Sequence, residues 1–193
     1  MGTGTRAHRL TRARTEQEAS GPVLSFEKFL AGIESRRLRE VAEHWRRARG
    51  AYRMPRWSDI DPGEIVRQLP IVWAWKYDRA GGRFTGRLAG EEINWALGKP
   101  LRGADLVEFF GEAKAPPILA RYRRVVDEPC FVHWRGQVFR HAERLGLGER
   151  IILPMAEDGA TGDGVLGATI YNTAPAGGAA PAAGEEVDFY PLD

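Results

Sequence analysis

The chain holds a single cysteine, Cys130. No intramolecular disulfide can form, which fits a reducing compartment, and a cytoplasmic location is expected. No apolar run approaches the roughly 18 residues that a membrane span needs. Residues 1–20 carry Arg6, Arg9, Arg12 and Arg14 but no apolar stretch, so they do not read as a secretory signal. Position 6 is arginine, and the myristoylation pattern that would begin at Gly2 fails there. An excess of one charge is also lacking: the formal net charge is +2, too little to imply nucleic acid by itself. Lysine is scarce beside arginine, which with the many Gly and Ala residues points to a GC-rich bacterial genome and says nothing of function. Reactive chemistry is missing too. No acid/base pair, metal cluster or activated nucleophile stands out, so no catalytic residue is assigned and an enzyme is not expected.

What is present suits one globular domain with extensions. The 193 residues are 43% hydrophobic and 28% charged, ordinary values for a soluble fold. A core of roughly 110 to 150 residues buries enough apolar surface to fold alone. Residues 1–22 are polar, lack periodicity and are expected to form a disordered tail. Ser25 is then a candidate N-cap. Phe26, Phe29, Leu30 and Ile33 recur at helical spacing, and Leu38, Val41, Ala42, Trp45 and Ala48 repeat the pattern in a different phase. Two helical segments are predicted over 25–32 and 35–49, within an N-terminal helical region 23–50 that Gly50 closes. Pro55, Pro62 and Pro70 punctuate the next stretch. Asp61 is placed to cap a short helix that begins at Pro62.

Ile71, Trp73, Trp75 and Tyr77 alternate with Val72, Ala74, Lys76 and Asp78, the period of a strand with one aromatic face. Gly81-Gly82 turns the chain into a return strand, Phe84 to Gly90. Gly86 and Gly90 predict close approach of another element. Residues 91–129 read as a helical crossover, with Pro117 to Asp127 its clearest helix. Three strands follow, Cys130–Phe139, Glu149–Met155 and Val165–Tyr171. Residues 174–193 are expected to be a flexible tail, low in complexity to 185, in which Val187, Phe189 and Tyr190 are the candidates to dock back.

The order helix, hairpin, helical crossover and meander predicts an α+β fold: a five-stranded antiparallel sheet with helices on one face. It also carries a family likeness. Trp45…Arg49-Gly50, Met54-Pro55, Ser58-Asp59-Ile60-Asp61-Pro62, Leu69-Pro70, Phe84…Arg87-Leu88-Ala89-Gly90, Gly98…Leu101-Arg102-Gly103 and Arg150-Ile151-Ile152-Leu153-Pro154-Met155 stand in order over about 45 to 173. Together they resemble an alphaproteobacterial PAS family of nearly stand-alone sensory domains. The resemblance implies a PAS-like domain over 51–173 and a role in bacterial signal transduction. It transfers no catalytic residue.

Cys130, His133 and His141 do not make a metal site, because 130 and 133 point to opposite faces of a strand. Residues 91–129 contain no histidine for haem, and the Asn-Cys-Arg-Phe motif of flavin light sensors is absent, so no cofactor is assigned and a colourless protein is expected. Six tryptophans suggest either an aromatic-lined pocket or a ring-packed core. If a small ligand binds, Trp73, Trp75, Arg87, Trp95, Tyr122 and His133 are the candidates to line its site. Phe26, Phe29, Leu30 and Ile33 are assigned to a homodimer interface, since an extra amphipathic segment must find an apolar surface; the alternative is that both stripes fold back onto the chain's own sheet and leave a monomer. The leading expectation is a sensory module that works by ligand sensing or protein–protein interaction. The rival is a nucleic-acid-associated regulator using the basic stretch 36–56, which the interspersed Glu40 and Glu43 disfavour.

Overall fold

The computed structural model of the chain describes residues 22–141, 144–173 and 185–192. The tail expected over 1–22 lies outside these residues except for Pro22, as do 174–184 of the expected C-terminal tail.

Two helices come first, α1 Pro22–Gly32 and α2 Arg36–Arg49. The break between them falls where the two apolar stripes change phase. The Ser35 side chain caps α2 by accepting from the Leu38 amide, and Gly50 ends it at φ 53°. Ser25 is not a cap: it lies inside α1, where its Oγ donates to the Pro191 carbonyl at 2.8 Å. Tight single turns at Trp57–Asp59, Pro62–Ile65 and Leu69–Ile71 follow. Asp61 caps the second, accepting from the Gly63 amide at 2.8 Å.

The hairpin is β1 Val72–Asp78 and β2 Arg83–Ala89. The crossover is α3 Glu91–Leu97, α4 Leu106–Phe110 and α5 Ala115–Asp127. The meander is β3 Cys130–His141, β4 Arg144–Met155 and β5 Gly164–Thr173. A further strand, β6 Glu186–Pro191, pairs with β3. The sheet therefore has six antiparallel strands in the order β2-β1-β5-β4-β3-β6, one more than the sequence pattern predicts. The addition comes from the segment expected to be a tail. Val187 and Phe189 reach the crossover side of the sheet, and Tyr190 reaches the other.

Alternation along β1 sorts the core into two clusters. Trp73, Trp75 and Tyr77 join Phe84, Ile93, Leu101, Leu106 and Tyr122 under α3–α5. Val72 and Ala74 join Ile151, Leu153, Ala168 and the residues of α1 and α2. Both faces of the sheet are thus covered. Gly86 is needed for the crossover layer: a Cβ there would lie 2.0 Å from the Leu101 carbonyl oxygen.

The second helical layer corrects the assignment of the dimer interface. Phe26, Phe29 and Ile33 are buried in the chain's own core with Leu38, Val41 and Trp45, and Leu30 packs against the same cluster. Phe29 stacks on Phe131 at 5.0 Å. The two stripes differ in phase because α1 and α2 are separate helices, each turning its own apolar side to one sheet face. No stripe over 26–33 remains for a partner.

Candidate functional site

The crossover face carries a cavity of about 230 Å³ between the sheet and α3–α5. Trp73 and Trp75 form its floor. Ile93, Leu97, Leu101 and Ile118 supply aliphatic walls, and Tyr122, Trp134 and Tyr171 further rings. The cations Lys114, Arg121 and Arg150 line it together with the carboxylate of Glu185.

Local sequence explains the floor. Gly167 has no side chain, and a Cβ there would fall 2.2 Å from a ring carbon of Trp73. The Trp73 ring therefore lies flat across β5, and its Nε1 donates to Thr169 Oγ1 at 2.9 Å. The Arg150 Nε donates to the same oxygen at 3.0 Å. Register puts these groups in a row, with Trp134 opposite Arg150 and Arg150 opposite Thr169. The Arg150 guanidinium sits 5.8 Å from the Trp73 ring centre and 5.4 Å from that of Trp134, an aromatic setting that favours a cation. Trp73 also stacks on Tyr122 at 5.5 Å. Burial pushes the Tyr122 phenol up to about 12, against the pull of nearby Arg150 and Arg121, and Tyr122 stays neutral. Burial raises Tyr171 as well, in the presence of Arg150.

At the mouth, the Glu185 carboxylate accepts from Trp134 Nε1 and from Arg121 Nη2, the latter at 2.5 Å. Burial works against its charge, but these two donors outweigh burial and hold the carboxyl below its usual range. On the floor, Trp75 is fully buried, and among the described residues its Nε1 has no hydrogen-bond partner.

Of the ligand residues expected from sequence, the structure brings Trp73, Trp75 and Tyr122 together at this cavity. It separates the other three. Trp95 is 70% exposed on the outer side of α3, beside Asn94, Lys99 and Pro100; Ile93 and Leu97 take the inward side of that helix. Arg87 alternates with Gly86 and lies on the far face of β2, its guanidinium 4.6 Å from the Trp57 ring centre. His133 faces α1, where its Nε2 bonds Glu149 Oε1 at 2.7 Å. Glu149 in turn accepts from the Glu34 and Ser35 amides at 2.7 and 2.8 Å, which ties the α1–α2 junction to β4. Cys130 lies on the other side of β3 from His133, and burial pushes its thiol up to about 11. Among the described residues no group of His, Cys, Asp or Glu is placed to hold a metal ion. Among the same residues, no helix is long and apolar enough to cross a membrane.

Sequence reasoning missed Arg121, Arg150, Tyr171 and Glu185. Trp134 carried a usable signal, since it follows His133 in a strand and so faces the other way. Arg150 could be found only through its register with Trp134. No curated protein and no solved structure matches the chain. A family model described as the PAS domain matches residues 33–170, from the end of the α1 layer through β5. With that match over most of its length, and with the sheet, crossover and cavity arranged as above, the chain belongs to the PAS domain family of sensory and signalling modules.

Proposed function

We propose that this PAS domain is a small-molecule sensor whose ligand occupies the cavity between β1, β4, β5 and α3–α5. The observation that carries this reading is the cavity itself. Protein interiors are close-packed, with few voids larger than a water molecule, whereas this fold keeps about 230 Å³ open among buried aromatic rings. The role proposed is binding, and the described lining residues pair no base with a nucleophile. The nucleic-acid reading gains nothing from the basic stretch. Arg36, Arg37, Arg46 and Arg47 pair with Glu40, Glu92, Glu27 and Glu64 at 2.9, 2.9, 2.5 and 3.4 Å.

Thermal melting of the full chain against a set of small organic metabolites tests the proposal. A bound compound at a hundred times its Kd adds about 2.7 kcal/mol of stability. Ile118→Trp, which fills the cavity from α5, is expected to melt cooperatively and to lose that response. A set that shifts neither protein, or shifts both alike, overturns the proposal.

A further inference from the structure

The charge on the cavity points to one class of ligand. Its walls are apolar and aromatic, yet the half-buried Arg121 and Arg150 both line it, and the carboxylate among its described lining residues is that of Glu185. An uncharged ligand would bury these cations further without offsetting them, which is unfavourable. An anion would offset them. A carboxylate position is already formed at the mouth: Trp134 Nε1 and Arg121 Nη2 both donate to the Glu185 carboxylate. The holding groups are well packed, with Trp134 4% exposed and the Arg121 side chain 14% exposed. The Glu185 side chain is 52% exposed, so it can leave toward solvent without crossing the core. Arg150 stands next to this position, its guanidinium against the ring of Trp134 and its Nε fixed by Thr169.

We propose that the cavity takes a compact organic acid of one or two rings, whose carboxylate replaces that of Glu185 on Arg121 and Trp134 while its body lies on Trp73 and Trp75. The size follows from the volume, which is below the roughly 300–1,000 Å³ of drug-sized sites. The aromatic body follows from the walls, where Trp73 and Tyr122 present stacked rings and flat apolar groups pack well. The exchange is of one carboxylate for another, so no bond is made or broken. Glu185 thus acts as an internal stand-in that keeps the cations satisfied until the ligand arrives. This inference rests on the reading of the cavity as the ligand site.

The test uses the full chain with benzoate, phenylacetate and indole-3-acetate, each beside its amide, and indole as a neutral probe of the chamber. Binding is read by calorimetry and by the fluorescence of the cavity tryptophans. At least one acid is expected to bind ten-fold or more tighter than its amide. Glu185→Gln, which removes the competing charge at a half-exposed position, should tighten that acid about five- to ten-fold and leave indole unchanged. Arg121→Met should weaken the acid ten-fold or more, again with indole unchanged. If indole binds but every acid binds no better than its amide, the carboxylate exchange is overturned and the cavity reading stands. If Glu185→Gln weakens the acid, the stand-in role is overturned. If neither indole nor any acid binds at millimolar concentration, this inference and the cavity reading fall together.

Discussion

On the α1/α2 side of the sheet the aromatic rings close on one another. Phe131 takes Phe29 face-on and Phe26 and Trp45 edge-on, with centroids 5.0, 5.2 and 5.0 Å away. On the crossover side the rings are more numerous, but Trp73, Trp75 and Trp134 stand around an open volume. The two faces are made from alternate residues of the same strands. His133 and Glu149 turn to the closed face; their neighbours Trp134 and Arg150 turn to the open one. The closed face ties off its buried carboxylate, with Glu149 bonded to His133 Nε2 and to two backbone amides. The open face holds its carboxylate at the solvent edge. The proposed division gives stability to one face and binding to the other, with shared backbone between them.

The sharpest way to break that division is at Phe29, fully buried and stacked on Phe131. Phe29→Ala should cost about 3–5 kcal/mol in denaturant unfolding, the usual loss for a buried ring. The loss should be independent of protein concentration, since Phe29 packs within its own chain. A midpoint that moves with concentration would return Phe29 to an interface between copies.

Glu149 is the next test, and it acts through pH. Burial alone would raise its carboxyl, but His133 and the Glu34 and Ser35 amides lower it below its ordinary 4.5. The folded state then binds this proton more weakly than the unfolded chain. The stabilisation is complete above pH 4.5 and is lost as pH falls through the lower folded value. Glu149→Gln leaves a donor facing a donor and should cost about 1–3 kcal/mol at neutral pH. The gap between wild type and variant should narrow as the pH is lowered below 4.5. A gap constant from pH 7 to 3 would show that the charge of Glu149 contributes nothing.

Much of this arrangement was legible along the chain because it is local. Asp61 before Pro62, Gly50 after α2, and the alternation of Trp73 and Trp75 with Val72 and Ala74 each depend on neighbours in sequence. The glycines at 86 and 90 also foretold contact, and both meet backbone carbonyls. What failed was non-local. Phe26, Phe29 and Ile33 look spare because the crossover covers one sheet face, and spacing along the chain does not say that the other face has room for both stripes. Strand β6 was obscured by the Ala-, Gly- and Pro-rich segment before it. Trp95 and His133 were correct residue types on the wrong side of a helix and a strand. Arg150 and Glu185 meet the same cavity only through pairing across β3, β4 and β6, which spacing along the chain does not encode.

The smallest expected effect separates two tryptophans on one strand and one face. Trp73 spends its indole N–H on Thr169 at 2.9 Å; the Trp75 N–H has no partner among the described residues. Replacing each by Phe removes the same atoms, but only at 73 is a made hydrogen bond lost. Trp73→Phe should therefore be the costlier, by about 1 kcal/mol, the net worth of a buried hydrogen bond. Trp75→Phe loses ring volume and a desolvated donor that has no partner among the described residues. Its cost should stay near that of a modest core truncation, about 1 kcal/mol, by chemical denaturation under identical conditions. Equal costs at 73 and 75 would mean that the Trp75 N–H already has an acceptor.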